Sequence, residues 1–223
     1  MKIIVPLLRA GLAPALAFGL ALTIPQACAA GILRDIYGTA PGNIGFHLTA
    51  ASDFEGGAQV VSTSNFTFYS APQALRLKFL SGVERNVVGL RFITSAFAPN
   101  PMDLAADKDT TMLEFWINPK AAPSVPSLAV SVVSNNGVKV ESRLLLSAYL
   151  KPADYADKWS FVSIPLRDFP DTGFVYDRRT QQSTPAPFDW TKVSGINFSC
   201  DTRGTPYYDP SVDDIRLYST IDP

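Results

Sequence analysis

The sequence predicts an all-β fold, an antiparallel two-sheet β-sandwich of the jelly-roll kind, on three observations. Apolar residues recur at every second position in short runs, as at Leu75, Leu77 and Phe79 or at Leu113, Phe115 and Ile117. That is the period of a strand with one buried face. Gly, Pro and Asn interrupt the chain between such runs, and no helix-period stripe stands where a crossover would need one; strands then pair antiparallel in two stacked sheets. The Asn136-Gly137 pair adds the strongest local hairpin signal, because both residues tolerate positive φ.

Residues 1–29 read as a signal peptide. Lys2 and Arg9 lead into the charge-free apolar run 10–24, and Ala27-Cys28-Ala29 offers an A-x-A cleavage site. The run is short for a transmembrane span. A lipidated Cys28 is the alternative, but Pro25-Gln26-Ala27 is a poor approach to such a site. The expected product is exported, periplasmic or extracellular, and begins near Ala30 or Gly31. Residues 30–45 form an N-terminal extension or a first edge strand, and 46–219 form the sandwich domain.

Within that domain 46–49, 59–62 and 66–69 are short strand candidates around a tight turn at 53–57. Leu75, Leu77 and Phe79 alternate with Arg76 and Lys78, a half-buried antiparallel strand, and Val88, Leu90 and Phe92 repeat the pattern. The polar stretch 99–111 has room for a short helical turn at 102–106. In 113–117 the residues Leu113, Phe115 and Ile117 face inward and Glu114 and Trp116 outward. After a loop at 119–126, the segments 128–134 and 138–146 flank the Asn-Gly hairpin. The connector 153–158 leads to the strand 159–166, where Val162, Ile164 and Leu166 share one side and Phe161 and Ser163 the other. Pro165 cannot donate a ladder hydrogen bond, so it marks a strand end or an open edge. The stretch 169–187, rich in Asp, Arg, Gln, Thr and Pro, reads as a long functional loop. Val193, Ile196 and Phe198 mark a strand with a bulge at Gly195, and 212–218 is the last strand.

Without 1–29 roughly 190 residues remain, a single-domain length. The chain carries 19 Lys and Arg against 20 Asp and Glu, and the loss of Lys2 and Arg9 leaves a net of −3. Nothing in that balance points to nucleic acid or an anionic membrane. With Cys28 removed, Cys200 is a lone thiol that reads as a small buried hydrophobe. Nothing in the sequence fixes an oligomeric state.

Six phrases in order carry a resemblance: Asp53-Phe54-Glu55-Gly56, Ala74-Leu75-Arg76-Leu77, Leu113-Glu114-Phe115-Trp116-Ile117, Trp159 with Ile164-Pro165-Leu166-Arg167-Asp168-Phe169, Phe188-Asp189-Trp190, and Val212-Asp213-Asp214-Ile215-Arg216-Leu217. Together they resemble galactose-binding-like jelly-roll domains, a group that includes carbohydrate-binding modules of secreted glycoside hydrolases. The resemblance implies a polysaccharide or oligosaccharide partner. It also implies a structural Ca²⁺ held by Asp53 and Glu55 at the N-terminal turn with Asp213 or Asp214 in the last strand, hard oxygen ligands that suit this ion. The alternative is a turn carboxylate and a solvated strand-end pair.

The sugar-contacting residues of such modules vary with ligand, so physical argument selects them here. Sugars present apolar C–H faces ringed by hydroxyls, which calls for exposed aromatics beside hydrogen-bonding side chains. Trp116 and Phe161 lie on outward strand positions. Phe174, Tyr176, Arg178 and Arg179 lie in the long loop, and Tyr207 and Tyr208 in a Gly- and Pro-rich one. Trp159 and Trp190 match structural positions.

Catalytic chemistry finds little support. His47 is the only histidine and no Gly-x-Ser-x-Gly occurs, which removes the usual serine triad and a zinc cluster. The glutamates are Glu55, Glu84, Glu114 and Glu141, without the spacing of a jelly-roll glycanase pair. The expectation is a non-catalytic carbohydrate-binding domain. The alternatives are a polysaccharide lyase working through Tyr, His and Arg, and a structural or adhesive exported protein without a sugar ligand.

Overall fold

The computed structural model describes residues 31–37, 46–49, 61–64, 74–79, 81–82, 85–92, 99–120, 127–154, 156–177, 179–203 and 208–220. The strands are β1 (Gly31–Tyr37), β2 (Phe46–Thr49), β3 (Val61–Ser64), β4 (Ala74–Leu77) and β5 (Asn86–Phe92). They continue with β6 (Thr111–Asn118), β7 (Ala129–Asn135), β8 (Lys139–Leu145), β9 (Ser160–Pro165) and β10 (Thr172–Asp177). The last are β11 (Gln182–Pro187), β12 (Val193–Cys200) and β13 (Ser211–Ser219). No helix among the described residues is long and apolar enough to cross a membrane.

Two antiparallel sheets result. One runs β3-β4-β13-β6-β9, with β1 also paired to β13, and the other runs β11-β10-β8-β7-β12-β5-β2. The chain changes sheet between β1 and β2, β2 and β3, β4 and β5, β5 and β6, β6 and β7, β8 and β9, β9 and β10, and β12 and β13, so the inward residues of both sheets form one core. Phe115 of β6 meets Phe198 of β12 edge to face at 5.4 Å across that core. Leu75, Leu77, Leu90, Leu113, Ile117, Ile164, Ile196 and Leu217 are buried with them, as the period-2 reading requires.

Several expectations are corrected. Of the two readings of 30–45, residues 31–37 take the first-strand one, because β1 pairs with β13 from Gly31↔Ser219 to Tyr37↔Ile215. The strand candidate 59–62 lies at Val61–Ser64, and 66–69 lies outside the described residues. The turn expected at 102–106 starts later: Met102 and Val193 exchange backbone hydrogen bonds of 2.7 and 3.0 Å and Leu104 N–H donates to the Trp190 carbonyl at 2.9 Å, while the i to i+3 bonds run from Asp107 N–H to the Leu104 carbonyl at 3.2 Å and from Thr110 N–H to the Asp107 carbonyl at 3.1 Å. Tertiary pairing there outweighs local preference. The long stretch 169–187 is largely a hairpin, with β10 and β11 paired from Thr172↔Pro187 to Asp177↔Gln182. β11 is the sheet edge, where Pro185 and Pro187 cost no ladder bond on the open side.

Other readings hold. β9 is the edge strand that Pro165 implies. The hairpin turn joins Asn135 to Lys139, with Gly137 at φ 81°. A register shift interrupts the β12–β7 pairing between Val193 and Gly195. A Cβ on Gly195 would meet the Leu90 carbonyl oxygen at 2.3 Å, so only glycine lets β5 and β12 approach at this bulge.

Candidate functional site

The outer face of the seven-stranded sheet is assembled from the positions that period 2 sends away from the core. Across β5, β12, β7 and β8 the pairing aligns Val87 with Ser199, Gly89 with Asn197, Ser131 and Arg143, and Arg91 with Gly195, Val133 and Glu141. β10 joins at Phe174↔Glu141.

Arg85, just ahead of β5, crosses this face. Its Nη2 donates to Glu141 Oε1 on β8 at 2.6 Å, although β12 and β7 lie between. Strand spacings of about 4.8 Å and rises of about 3.4 Å per residue would hold the two backbones more than about 20 Å apart on a flat sheet. That is further than an Arg and a Glu side chain reach together, so the face is concave along this diagonal. Ser199 and Ser131 occupy the same diagonal on the intervening strands and are 1% and 0% exposed. The Arg85 guanidinium also lies over the rings of Tyr176 at 4.6 Å and Phe174 at 5.3 Å, a cation–π arrangement that holds both aromatics against the face.

Polar capacity is left over in this hollow. Ser131 Oγ, Ser199 Oγ, Glu141 Oε2 and Arg143 Nε are buried atoms with no hydrogen-bond partner. Burial lowers the Arg143 pKa from its ordinary value and the neighbouring Arg85 charge adds to this, while Glu141, Cys200 and Asp201 oppose it. Each unmet buried group costs about 1–3 kcal/mol. These atoms are closed over by their neighbours, and the half-buried rings of Tyr176 and Phe174 are the part of the hollow on which a sugar could stack.

The expected site residues do not all come together. Tyr176 is in this hollow. Trp116 and Phe161 pair across β6 and β9 with ring centroids 5.2 Å apart, on the outer side of the other sheet, where Phe161 is 45% exposed. Arg179 is exposed in the β10–β11 turn, its N–H donating to Asp177 Oδ1 at 2.8 Å. Tyr208 is corrected: it is 5% exposed, bridged to Phe79 through backbone bonds of 2.8 and 3.1 Å, with its ring stacked on Phe79. Arg178 and Tyr207 lie outside the described residues. Arg85, Ser131, Arg143 and Ser199 were not anticipated; Arg143 alone was legible, as an outward charge in the alternating run Lys139–Leu145.

Of the expected calcium ligands, Asp53 and Glu55 lie outside the described residues. Asp213 is 0% exposed, and Asp214 follows it at φ 52°, donating its N–H to Asp213 Oδ1 at 2.8 Å. The register of β13 against β6 shifts between Asp213 and Arg216, which sets the two carboxylates at one irregularity. A fully buried carboxylate suits a cation. Among the described residues no three His, Cys, Asp or Glu side chains gather into a metal cluster.

Other reactive groups are occupied or insulated. Glu114 bonds Arg216 Nε at 2.9 Å on the six-stranded sheet, on the opposite side of the sandwich from Glu141. Cys200 is buried, and burial pushes its thiol up to about 12, so it is a packing residue.

The family model for carbohydrate binding domain 30 matches residues 42–219. No curated protein matches the chain in sequence. Among solved structures the chain is similar to the family 30 carbohydrate-binding module of the cellulosomal cellulase Cel9D-Cel44B of Clostridium thermocellum. The identity is 18%, over 83% of this chain and 96% of that one, at a TM-score of 0.56. It is also similar to a family 11 carbohydrate-binding module from Clostridium thermocellum in complex with a β-1,3-1,4-mixed-linked tetrasaccharide, 12% identical over 87% of this chain and 99% of that one at a TM-score of 0.51. At these identities the structural likeness speaks to the fold.

Proposed function

The chain belongs to the carbohydrate binding domain 30 family, and on that premise we propose that it binds a polysaccharide in the concave outer face of its seven-stranded sheet. The observation that carries this reading is the pair of half-buried rings, Phe174 and Tyr176, that Arg85 backs on this concave face, with the half-buried Arg143 on the same face. Tyr176 gives the sugar ring an apolar platform and the half-buried Arg143 offers hydrogen-bond donors to its hydroxyls. Sugar hydroxyls exchange water bonds for protein bonds at little net gain, so affinity is modest and stacking decides it.

A second reading places the ligand on Trp116 and Phe161, because this tilted pair leaves Phe161 45% exposed. Affinity electrophoresis in polysaccharide gels separates the two. Tyr176→Ala is expected to weaken retention by about 0.5–1.5 kcal/mol, by analogy with aromatic pairs, roughly two- to tenfold, while Phe161→Ala leaves it unchanged. The reverse pattern moves the site to the six-stranded sheet. Release of unsaturated sugar from a polyuronate in the same incubations would replace binding with lyase chemistry.

The reading extends to a structural Ca²⁺ on Asp213 and Asp214 with Asp53 and Glu55. Its support is the fully buried Asp213 carboxylate at the β13 irregularity, and the ion's part would be to fasten the N-terminal turn to the last strand. An ion 100-fold above its dissociation constant adds about 2.7 kcal/mol. EDTA is therefore expected to lower the melting temperature by roughly 5–10 °C for a domain of this size; an unmoved transition would remove calcium from the reading. Export rests on the leader-like residues 1–29. An intact mass starting near Ala30 or Gly31 is expected, and a diacylglyceryl group on Cys28 would count against it.

A further inference from the structure

Arg143 is the feature of the concave face whose charge a neutral sugar leaves uncompensated. Both acids near it already serve other arginines: Glu141 accepts from Arg85 at 2.6 Å, and Asp201 accepts from Arg203 Nη2 at 2.6 Å. Among the described residues Arg143 makes no hydrogen bond or ion pair of its own, and its Nε is buried without a partner. A guanidinium in that condition is costly, since desolvation is not offset by any bonded anion.

Its surroundings extend the argument. Outward positions of this sheet carry Arg91, Lys139 and Arg143, with Arg85 at the margin, against Glu141 and Asp201. The whole chain has a formal net charge of −1, so cations are concentrated on the face that holds the stacked aromatics. A concave surface lined by one sign of charge focuses the field on its ligand.

We propose that the concave face takes an acidic polysaccharide, with Arg143 receiving the carboxylate of a uronic acid residue. The planar guanidinium fork matches a carboxylate in two parallel charge-assisted bonds. A carboxylate fits this arrangement better than a sulfate ester, because Arg85 and Arg203 already serve acids and Glu141 repels further negative charge. The inference rests on the concave face being the sugar-binding surface.

The test compares retention of the mature protein in gels of polygalacturonate, of the same polymer fully methyl-esterified, of a sulfated glycan and of a neutral β-glucan. Polygalacturonate is expected to retain the protein at least about tenfold more strongly than its ester, and the difference is expected to fade near 1 M salt, where the Debye length is about 3 Å. Arg143→Gln removes the difference and Arg143→Lys keeps part of it. The ester comparison uses the unaltered protein, so it decides the matter even if R143Q does not fold. Equal retention by acid and ester, or stronger retention by the sulfated glycan, overturns the carboxylate assignment. Binding to the neutral glucan alone overturns it while leaving the sugar-binding reading in place. No retention by any of the four overturns both.

Discussion

Phe115→Ala is expected to lower the unfolding free energy by about 3–5 kcal/mol, the range for emptying a buried aromatic site. Phe115 has 0% exposure and makes its edge-to-face contact with Phe198 across the two sheets at 5.4 Å. Its removal takes out both the transferred ring and the contact that closes the sandwich at mid-height. For a domain of roughly this size the melting temperature falls by about 2–4 °C per kcal/mol, so the loss exceeds roughly 6 °C. Phe161→Ala, which deletes the same side chain from a half-exposed position on the adjoining strand, is the control. It should cost about half as much, since nearly half of its area is already in water. Equal losses in urea melts would show that Phe115 is not the point where the sheets meet.

The contrast between these two phenylalanines shows what sequence reading reaches. Inward and outward positions in 75–79, 88–92, 113–117 and 159–166 follow from alternation alone, because a one-residue slip would turn every apolar side chain to solvent. The β10–β11 hairpin escapes that logic. Its outer strand, Gln182–Pro187, is exposed at nearly every position, so nothing in its composition alternates, and two prolines argue against a strand everywhere except at the edge it occupies. Tyr208 escapes for a different reason. It stands between Pro206 and Pro210 and reads as loop, yet its backbone bridges Phe79, a pairing 129 positions apart in the chain.

The concave site was the least legible part. Arg85, Ser199, Ser131, Glu141 and Phe174 come from five strand regions, and each alone is an ordinary polar or aromatic residue at an outward position. Only the strand order β10-β8-β7-β12-β5 sets them on one diagonal. Trp116 attracted the site instead because a lone outward tryptophan is conspicuous within its own strand. In sequence Glu141 stands out only as one of four glutamates without a glycosidase partner, whereas its partner in the fold is Arg85, three strands away.

That ion pair leads to the second large effect. Glu141→Ala is expected to cost about 3–5 kcal/mol, because removing one member of a buried pair leaves the other charge uncompensated. The side chains of Arg85 and Glu141 are only 9% and 14% exposed, so water cannot replace the lost carboxylate easily. Arg143 is close enough to Arg85 for mutual repulsion, and the loss of Glu141 removes the anion that separates their effects. The double variant Arg85→Met with Glu141→Leu removes both charges at similar volume. Such replacements of buried pairs are often neutral or stabilising by about 1–4 kcal/mol, so this protein should regain most of the stability lost in Glu141→Ala. It should not regain retention in polysaccharide gels, because the guanidinium that backs Tyr176 at 4.6 Å is gone. A double variant that melts like the parent and runs unretarded separates the site from the fold. One that stays as unstable as Glu141→Ala would mean the pair is needed for packing, and one that is still retained would move the ligand off this face.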